Sequence, residues 1–508
     1  MRLSLPERIP LTLAFIFASA VFLLQQIEHT TLYFSACSFL FIVVATLGFN
    51  IGGGLTRPSG GYLFFFAMFT LILGLCVKIA LGESGDSRLL RPRITITAYL
   101  IGICTLTLAV LASRKLSRSR PFLAKAVTDR NLRPATAGCL FMGILLTVLT
   151  HTVERGSGTA FSALIQINRF TEVSLILGVI GAIRRSGGRS SVDTMVLLAG
   201  ATLFLIDGIF GYSKEGMFSP IACWTVAAAS ERYSVSRNQI FFGAAVLVFL
   251  SYYMVPYSQY GRTQFVPGVS ANIAVAERLL ENLPQVRKIY EAEAKQNAEV
   301  DGGSYFSKPV GILDRLVMVG VDDKLIDATV QRGPKGYLPI LIDLEALVPH
   351  VFWPGKPNVL WGNVYAHEAG VNIPEDDFST GISFSAIGEG YHLGEWAGLL
   401  LLCPVVWTVS FVCFDSLCGS IRSSPWGLLV LTYFAHAAPE GYLSGLIYAT
   451  AYVGFAIAFA AFTAGYIMPL LGVLFIGPGQ ESGPARIVPL RPRVRERLAP
   501  ASAPSNEL

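Results

Sequence analysis

Apolar residues in this chain come in runs of about twenty, separated by short polar and often basic connectors. The runs fall at about 10–26, 31–49, 61–82, 94–112, 134–153, 167–183, 192–212, 215–230, 238–256, 396–414, 425–440 and 445–467. A helix rises 1.5 Å per residue, so each run is long enough to cross a hydrocarbon layer of roughly 30 Å. The pattern predicts an all-α, polytopic integral membrane protein with about twelve transmembrane helices. Residues 257–395 interrupt it as one long connector. Inside the connector, Ile273, Val275, Leu279, Leu280 and Leu283 form an apolar stripe before Pro284, and Val286–Val300 continues as a charged helix that Gly302-Gly303 ends. Further helical patterns run through Val310, Ile312, Leu313, Leu316, Val317 and Val319, and through Tyr337, Leu338, Ile340, Leu341, Leu344 and Leu347. A large, mostly helical extracytoplasmic loop is expected.

Charge sets the orientation, because Lys and Arg stay on the cytoplasmic side of a membrane. Basic residues collect at Arg2 and Arg8, at Arg114, Lys115, Arg118, Arg120, Lys125, Arg130 and Arg133, at Arg184, Arg185 and Arg189, at Arg232 and Arg237, and in the tail at Arg486, Arg491, Arg493, Arg495 and Arg497. With twelve spans these all share one side, and both termini are cytoplasmic. The long connector holds 11 Lys and Arg against 18 Asp and Glu, and the remainder 28 against 16. A net charge of +5 thus conceals a division by side. The expected organisation is a transmembrane region over 1–256, a periplasmic loop over 257–395, a second transmembrane region over 396–476, and a disordered basic tail over 477–508. Hydrophobic residues make up 53% of the chain and charged residues 14%, too few polar groups to cover a soluble protein of this size. The first apolar run ends at Ile27-Glu28-His29 instead of a small-residue cleavage site, so it reads as a permanent helix. The eight cysteines lie in or beside apolar segments, with no disulfide framework and no metal-binding spacing.

Two stretches of the connector stand apart. Val348-Pro349-His350-Val351-Phe352-Trp353-Pro354-Gly355-Lys356-Pro357-Asn358 is too rich in proline for a helix, and it places Lys356 beside rings suited to a membrane interface. Thr380 to Leu399 carries glycines that let the backbone approach neighbouring helices or a ligand, and it leads Glu389, Tyr391, His392 and Glu395 into the next apolar run. This arrangement resembles the O-antigen and exopolysaccharide repeat-unit polymerases. The elements that carry the resemblance are Pro349, Trp353, Pro354, Lys356 and Pro357; Thr380 and Gly381; Gly388, Glu389 and Tyr391; and Gly394, Glu395 and Gly398. One departure is His350, where the family often has arginine.

The resemblance implies a glycosyltransferase of the C type at the outer face of a bacterial inner membrane. It would polymerise polyprenyl-diphosphate-linked oligosaccharide repeat units without a metal or other cofactor. Its partners would be that lipid-linked substrate and the bilayer, with a chain-length regulator left open and no nucleic acid. Such chemistry needs cations to stabilise the departing diphosphate and a base for the attacking sugar hydroxyl. The cations expected outside are Lys214, Arg315, Arg332, Lys335 and Lys356, with His350 when protonated, and Tyr391 joins the substrate-binding set. Candidates for the base are Glu389, His392 and Glu440; Glu389 has the alternative role of holding the loop through backbone N–H groups. Arg169 and Glu172 share a helix face and are expected to pair, and Asp207 lies about one turn from Lys214. An O-antigen ligase is the alternative of the same class, and a polysaccharide or lipid transporter the alternative of another. A topology reporter inserted within Glu291–Asp301 should report an extracytoplasmic position, and one after Arg120 or Arg491 a cytoplasmic one; a cytoplasmic signal from 291–301 would overturn this orientation.

Overall fold

The computed structural model describes residues 1–476 apart from 125, 153–167, 265–268, 302–304, 309, 311–312, 350–351, 354, 357–358, 372–375, 377–379 and 422–423. Among the described residues the protein is helical, without a strand; two isolated bridges join Arg2 to Ser234 and Phe384 to Gly441. Among the described residues seven helices are long and apolar enough, by length and composition, to cross a membrane: Leu32–Gly52, Pro58–Leu81, Pro92–Leu116, Leu132–Leu149, Arg237–Thr263, Ala386–Cys418 and Leu443–Tyr466. Leu11–Ile27 and Thr194–Phe210 are shorter apolar helices. Phe170–Arg185, Lys214–Ser230 and Trp426–Glu440 pack among them. The expected basic tail and His350 lie outside the described residues.

Local chemistry explains the helix starts. Pro58 and Pro92 occupy the first turn, where no intrahelical N–H bond is lost. Asp193, Ser213 and Ser236 accept backbone N–H bonds as N-caps, and Ser236 completes a capping box with Gln239. In the core, Tyr62 meets Phe411 and Phe434 at ring distances of 5.2 Å each, and its hydroxyl accepts a 3.3 Å bond from Trp407 Nε1. At one end of the bundle the buried Asp415 carboxylate accepts from Ser59 N, Ser59 Oγ and Ser113 Oγ at 3.2, 2.7 and 3.0 Å, joining three helices.

The connector folds against the other end. Its helices are Val269–Glu281, Leu283–Asp301, Leu313–Leu316, Val319–Arg332, Leu338–Ala346 and Trp361–Glu368. The break ahead of Pro284 and the helix after Tyr337 follow the sequence pattern. The apolar pattern at 310–319, however, gives only the short Leu313–Leu316 within its described part. The longer helix begins at Val319, and its inward face carries Asp322, Asp323 and Thr329 as well as Leu325 and Ile326. Buried acids on that face hide the helix from a hydrophobicity pattern.

The run after Thr380 does not lead straight into a span. Residues 386–393 form a buried helical arm, and the backbone leaves helical geometry at Gly394 (φ −154°, ψ 21°) and Glu395 (φ 48°, ψ −131°). The chain then doubles back, bringing Cys403 Sγ within 3.6 Å of the Ala386 carbonyl. Ala386–Cys418 is therefore an antiparallel arm and helix that touch backbone to backbone. A Cβ at position 398 would lie 1.8 Å from the Gly390 carbonyl oxygen, and one at 390 would lie 2.3 Å from Cys403 Sγ. Gly398→Val should push the two pieces apart at a cost of at least about 1–3 kcal/mol, read as a lower melting temperature and reduced yield in detergent; an unchanged melt would show that the arm does not need this contact.

Candidate functional site

The arm owes its position to Asp322. This buried carboxylate accepts from Tyr99 Oη at 2.6 Å and from Ser385 N at 2.9 Å, and also from Ser385 Oγ. Ser385 in turn caps the arm by accepting from Ile387 N and Gly388 N. Burial pushes the Asp322 carboxyl up to about 6 against these hydrogen bonds. Gly388 lies flush on the same carboxylate, since a Cβ there would meet Asp322 Oδ1 at 2.3 Å.

Two residues of the arm face different partners. Glu389 is fully buried and accepts from Tyr365 Oη (3.0 Å), Leu443 N (2.6 Å), Ser444 N (3.1 Å) and Ser444 Oγ (2.7 Å). It thereby caps the helix Leu443–Tyr466, with its charge at the positive end of that helix. The holding role for Glu389 is the one this geometry fits. Beside it, Asp343 accepts from Trp361 Nε1 at 2.8 Å, while its second oxygen is buried without a hydrogen-bond partner. Ser444, the hydroxyl near that oxygen, donates its one proton to Glu389. Burial pushes the Asp343 carboxyl up.

His392, three residues on, reaches into a charged cluster. Its Nε2 lies 2.8 Å from Glu368 Oε2, and its Nδ1 lies 2.9 Å from Thr329 Oγ1. Thr329 has one hydroxyl proton and two acceptors, His392 Nδ1 and the Leu325 carbonyl at 2.8 Å. When that proton points to Leu325, both ring nitrogens must donate and the imidazole is charged; when it turns to Nδ1, the ring is neutral. Lys335 Nζ bonds to the other Glu368 oxygen, and Arg332 Nη1 donates to the Glu368 backbone carbonyl at 2.9 Å. The turn that carries Lys335 is fixed by Lys335 N and Gly336 N, which donate to the carbonyls of His392 and Leu393 at 2.9 and 3.0 Å. Tyr365 closes the back, its ring edge-on to His392 at 5.1 Å and stacked on Trp361 at 5.7 Å. His392 is nearly buried, and the Glu368 side chain is 30% exposed. The carboxylate is the part of the pair that solvent reaches.

The expected site residues thus divide. Arg332, Lys335 and His392 come together, and Glu389 lies on the same arm, sharing Tyr365 with His392. Glu440 accepts from Ser383 at 3.2 Å near Tyr442 and Glu389. Tyr391 is buried edge-on to Trp396 at 5.1 Å. Lys356 donates to the Ala346 and Val348 carbonyls at 2.6 and 3.0 Å, ending the helix Leu338–Ala346. Lys214 opens the helix Lys214–Ser230, whose N-cap is Ser213. Arg315 belongs to Leu313–Leu316, and its side chain lies outside the description. Arg169 and Glu172 pair at 3.4 Å, as the spacing predicts. Glu368 escaped the sequence reading, although Trp361, Tyr365 and Glu368 at helical spacing signal one face of a short helix.

Among the described residues no group of three or more His, Cys, Asp or Glu side chains is arranged to hold a metal ion. No family profile, curated protein or solved structure matches this chain.

The Glu368 carboxyl gives the cluster a pH dependence. Burial alone would raise it, but the hydrogen bonds from His392 and Lys335 outweigh burial and hold it below its ordinary value of 4.5. Below about pH 4.5 the unfolded chain then binds more protons than the folded one. The stabilisation is complete above that pH and is lost as pH falls through the depressed folded value. Glu368→Gln should remove this slope, measured as the difference between parent and variant melting temperatures in detergent from about pH 3 to pH 6; parallel curves would show that the pair adds nothing to stability.

Proposed function

We propose that this protein is a glycosyltransferase acting on polyprenyl-diphosphate-linked oligosaccharides, most specifically a repeat-unit polymerase at the outer face of a bacterial inner membrane. In this reading the chain crosses the membrane twelve times with both termini cytoplasmic, and the connector end of the bundle faces outward. The observation that carries the reading is the His392–Glu368 pair with Lys335 and Arg332 both bonded to Glu368. This combination suits displacement of a diphosphate by a sugar hydroxyl. The attacking oxygen bonds to the anomeric carbon while the anomeric C–O bond to the diphosphate breaks, its electron pair leaving on the diphosphate. The hydroxyl proton passes to the Glu368–His392 unit, and Arg332 and Lys335 meet the departing negative charge. Glu368 reaches solvent, and His392 behind it takes a second charge state through Thr329.

The resemblance on Pro349, Trp353, Pro354, Lys356 and Pro357 and on Gly388, Glu389 and Tyr391 supports a polymerase in particular. Purified protein given the lipid-linked repeat unit should form a ladder of longer products, and the ladder should persist in EDTA. His392→Ala should slow it by on the order of 10²–10⁴-fold, and Arg332→Ala by about a hundredfold. Arg332→Lys should recover only part of that loss, because a point charge lacks the guanidinium fork. Wild-type rates in His392→Ala protein inserted at normal levels would remove the cluster from the chemistry.

A further inference from the structure

Two carboxyls from distant parts of the chain meet at the Ser444 hydroxyl. Glu389 Oε1, on the arm, takes its proton at 2.7 Å, and Asp343, on the connector helix Leu338–Ala346, faces the same oxygen. The charge of Asp343 acts on Glu389. A serine hydroxyl has one proton to give. The row Asp343–Ser444–Glu389 contains two oxygen-to-oxygen links, and Ser444 fills the one to Glu389. The link to Asp343 needs a second proton.

That proton belongs on Asp343. Glu389 has four donors, Tyr365 Oη, Leu443 N, Ser444 N and Ser444 Oγ, and such a set favours an anion. Asp343 has one, Trp361 Nε1 at 2.8 Å, while its other oxygen is closed off from solvent without a partner. Among the described residues no Lys, Arg or His bonds to Asp343. The titratable groups around it are acidic or phenolic: Glu389 from the arm, Tyr365 from Trp361–Glu368, and Tyr442, which also feels Glu440, from the turn before Leu443. Glu345 lies on its own helix. Past the end of that helix, Lys356 donates to the Ala346 and Val348 carbonyls and Tyr452 Oη to the Leu347 carbonyl. Burial pushes the Asp343 carboxyl above its ordinary 3.8. An ionised oxygen without a donor, beside a second negative charge, is costly; protonated, it becomes the missing donor.

We propose that Asp343, Ser444 and Glu389 form a one-proton site, with Asp343 as the acid donating to Ser444 Oγ, and that this proton latches Leu338–Ala346 to the start of Leu443–Tyr466. The helix has little else to hold it. It buries Pro339 and Ile340, but Leu338, Leu341 and Leu344 are 64%, 56% and 49% exposed. When the proton leaves to solvent, two negative charges face one hydroxyl, and the helix loosens from the span and from Trp361. The latch is independent of the substrate of the Glu368 cluster. Its pH dependence follows from the raised carboxyl: the unfolded chain releases the proton near 3.8 and the folded chain only at higher pH. Stability is therefore full below 3.8 and falls as pH rises to the folded value, above which the loss is complete.

The test is a difference infrared spectrum of the full-length protein, parent minus Asp343→Asn. At about pH 5.5, where an ordinary aspartic acid is ionised, it should show the C=O band of a protonated carboxyl, and the band should fade as pH rises. Amide exchange in 338–346 should accelerate as the band fades, beyond the intrinsic rise with pH. Asp343→Asn, whose amide donates to Ser444 at every pH, should lack that extra acceleration. Ser444→Ala keeps both acids and gives a second difference spectrum, in which the band should move to the higher frequency of an acid without an acceptor. Absence of the band at about pH 5.5 overturns the proposal. So does a band that survives in Asp343→Asn and vanishes in Glu389→Gln, or exchange in 338–346 that follows one pH curve in parent and Asp343→Asn.

Discussion

Two adjacent buried carboxylates, Asp322 and Asp323, fasten the connector to the bundle. An unpaired charge in a dry interior costs several kcal/mol unless its lone pairs are met. Here they are met by donors alone. Asp322 takes Tyr99 Oη, Ser385 N and Ser385 Oγ, while Asp323 takes Leu90 N, Arg91 N and Thr95 Oγ1. Burial still pushes both carboxyls up. The donors come from the entrance of Pro92–Leu116 and from the N-cap of the 386–393 arm, so one turn of Val319–Arg332 sets the position of both. The direction of His392, the contact of the Lys335 turn with the arm, and the helix cap made by Glu389 all follow from where that turn sits.

The arm shows why glycine is concentrated there. Glu389 and His392, three residues and less than one helical turn apart, share Tyr365 but hold different clients: one the start of Leu443–Tyr466, the other Glu368. For both to be reached, the arm must lie between the connector and two long helices. Gly388 against Asp322 and Gly390 against Cys403 and Gly398 provide that closeness, because any side chain at these points would occupy a neighbour's volume. π-turns follow at once in both adjoining helices, at Gly398–Leu402 and Ala449–Val453. The same turns interrupt other long helices at Met68–Ile72, Leu203–Phe210 and Leu250–Met254, so they do not single out this end of the bundle.

What the sequence made legible is what depends on length and period. Apolar runs of about twenty residues stand out without any tertiary knowledge, and the helical class and most long helices are found where the runs lie. The arm was not legible, because a helix that reverses at Gly394-Glu395 without a proline has the composition of one that continues. Val319–Arg332 was not legible either, since its buried face carries acids whose partners lie more than two hundred residues earlier in the chain or, for Ser385, 63 residues later. For the site, residue types were readable and partnerships were not. His392, Arg332 and Lys335 carry charge or can acquire it, which marked them, but Glu368 sits in an eight-residue helix 24 positions before His392. No sequence spacing encodes that meeting.

The same limit explains why Glu389 stands among the candidate bases. A carboxylate entering an apolar run is costly, and that cost marks it without saying how it is met. The structure meets it with four donors and no exposed surface, an arrangement that holds the start of Leu443–Tyr466 and leaves the carboxyl without a path to solvent. A base needs the reverse: a route to solvent and a second protonation state within reach. Glu368 has the first and His392, through the turning hydroxyl of Thr329, has the second. In the proposed reading, dividing the two requirements between two residues would let Lys335 and Arg332 stand beside an anion without neutralising the group that accepts the proton.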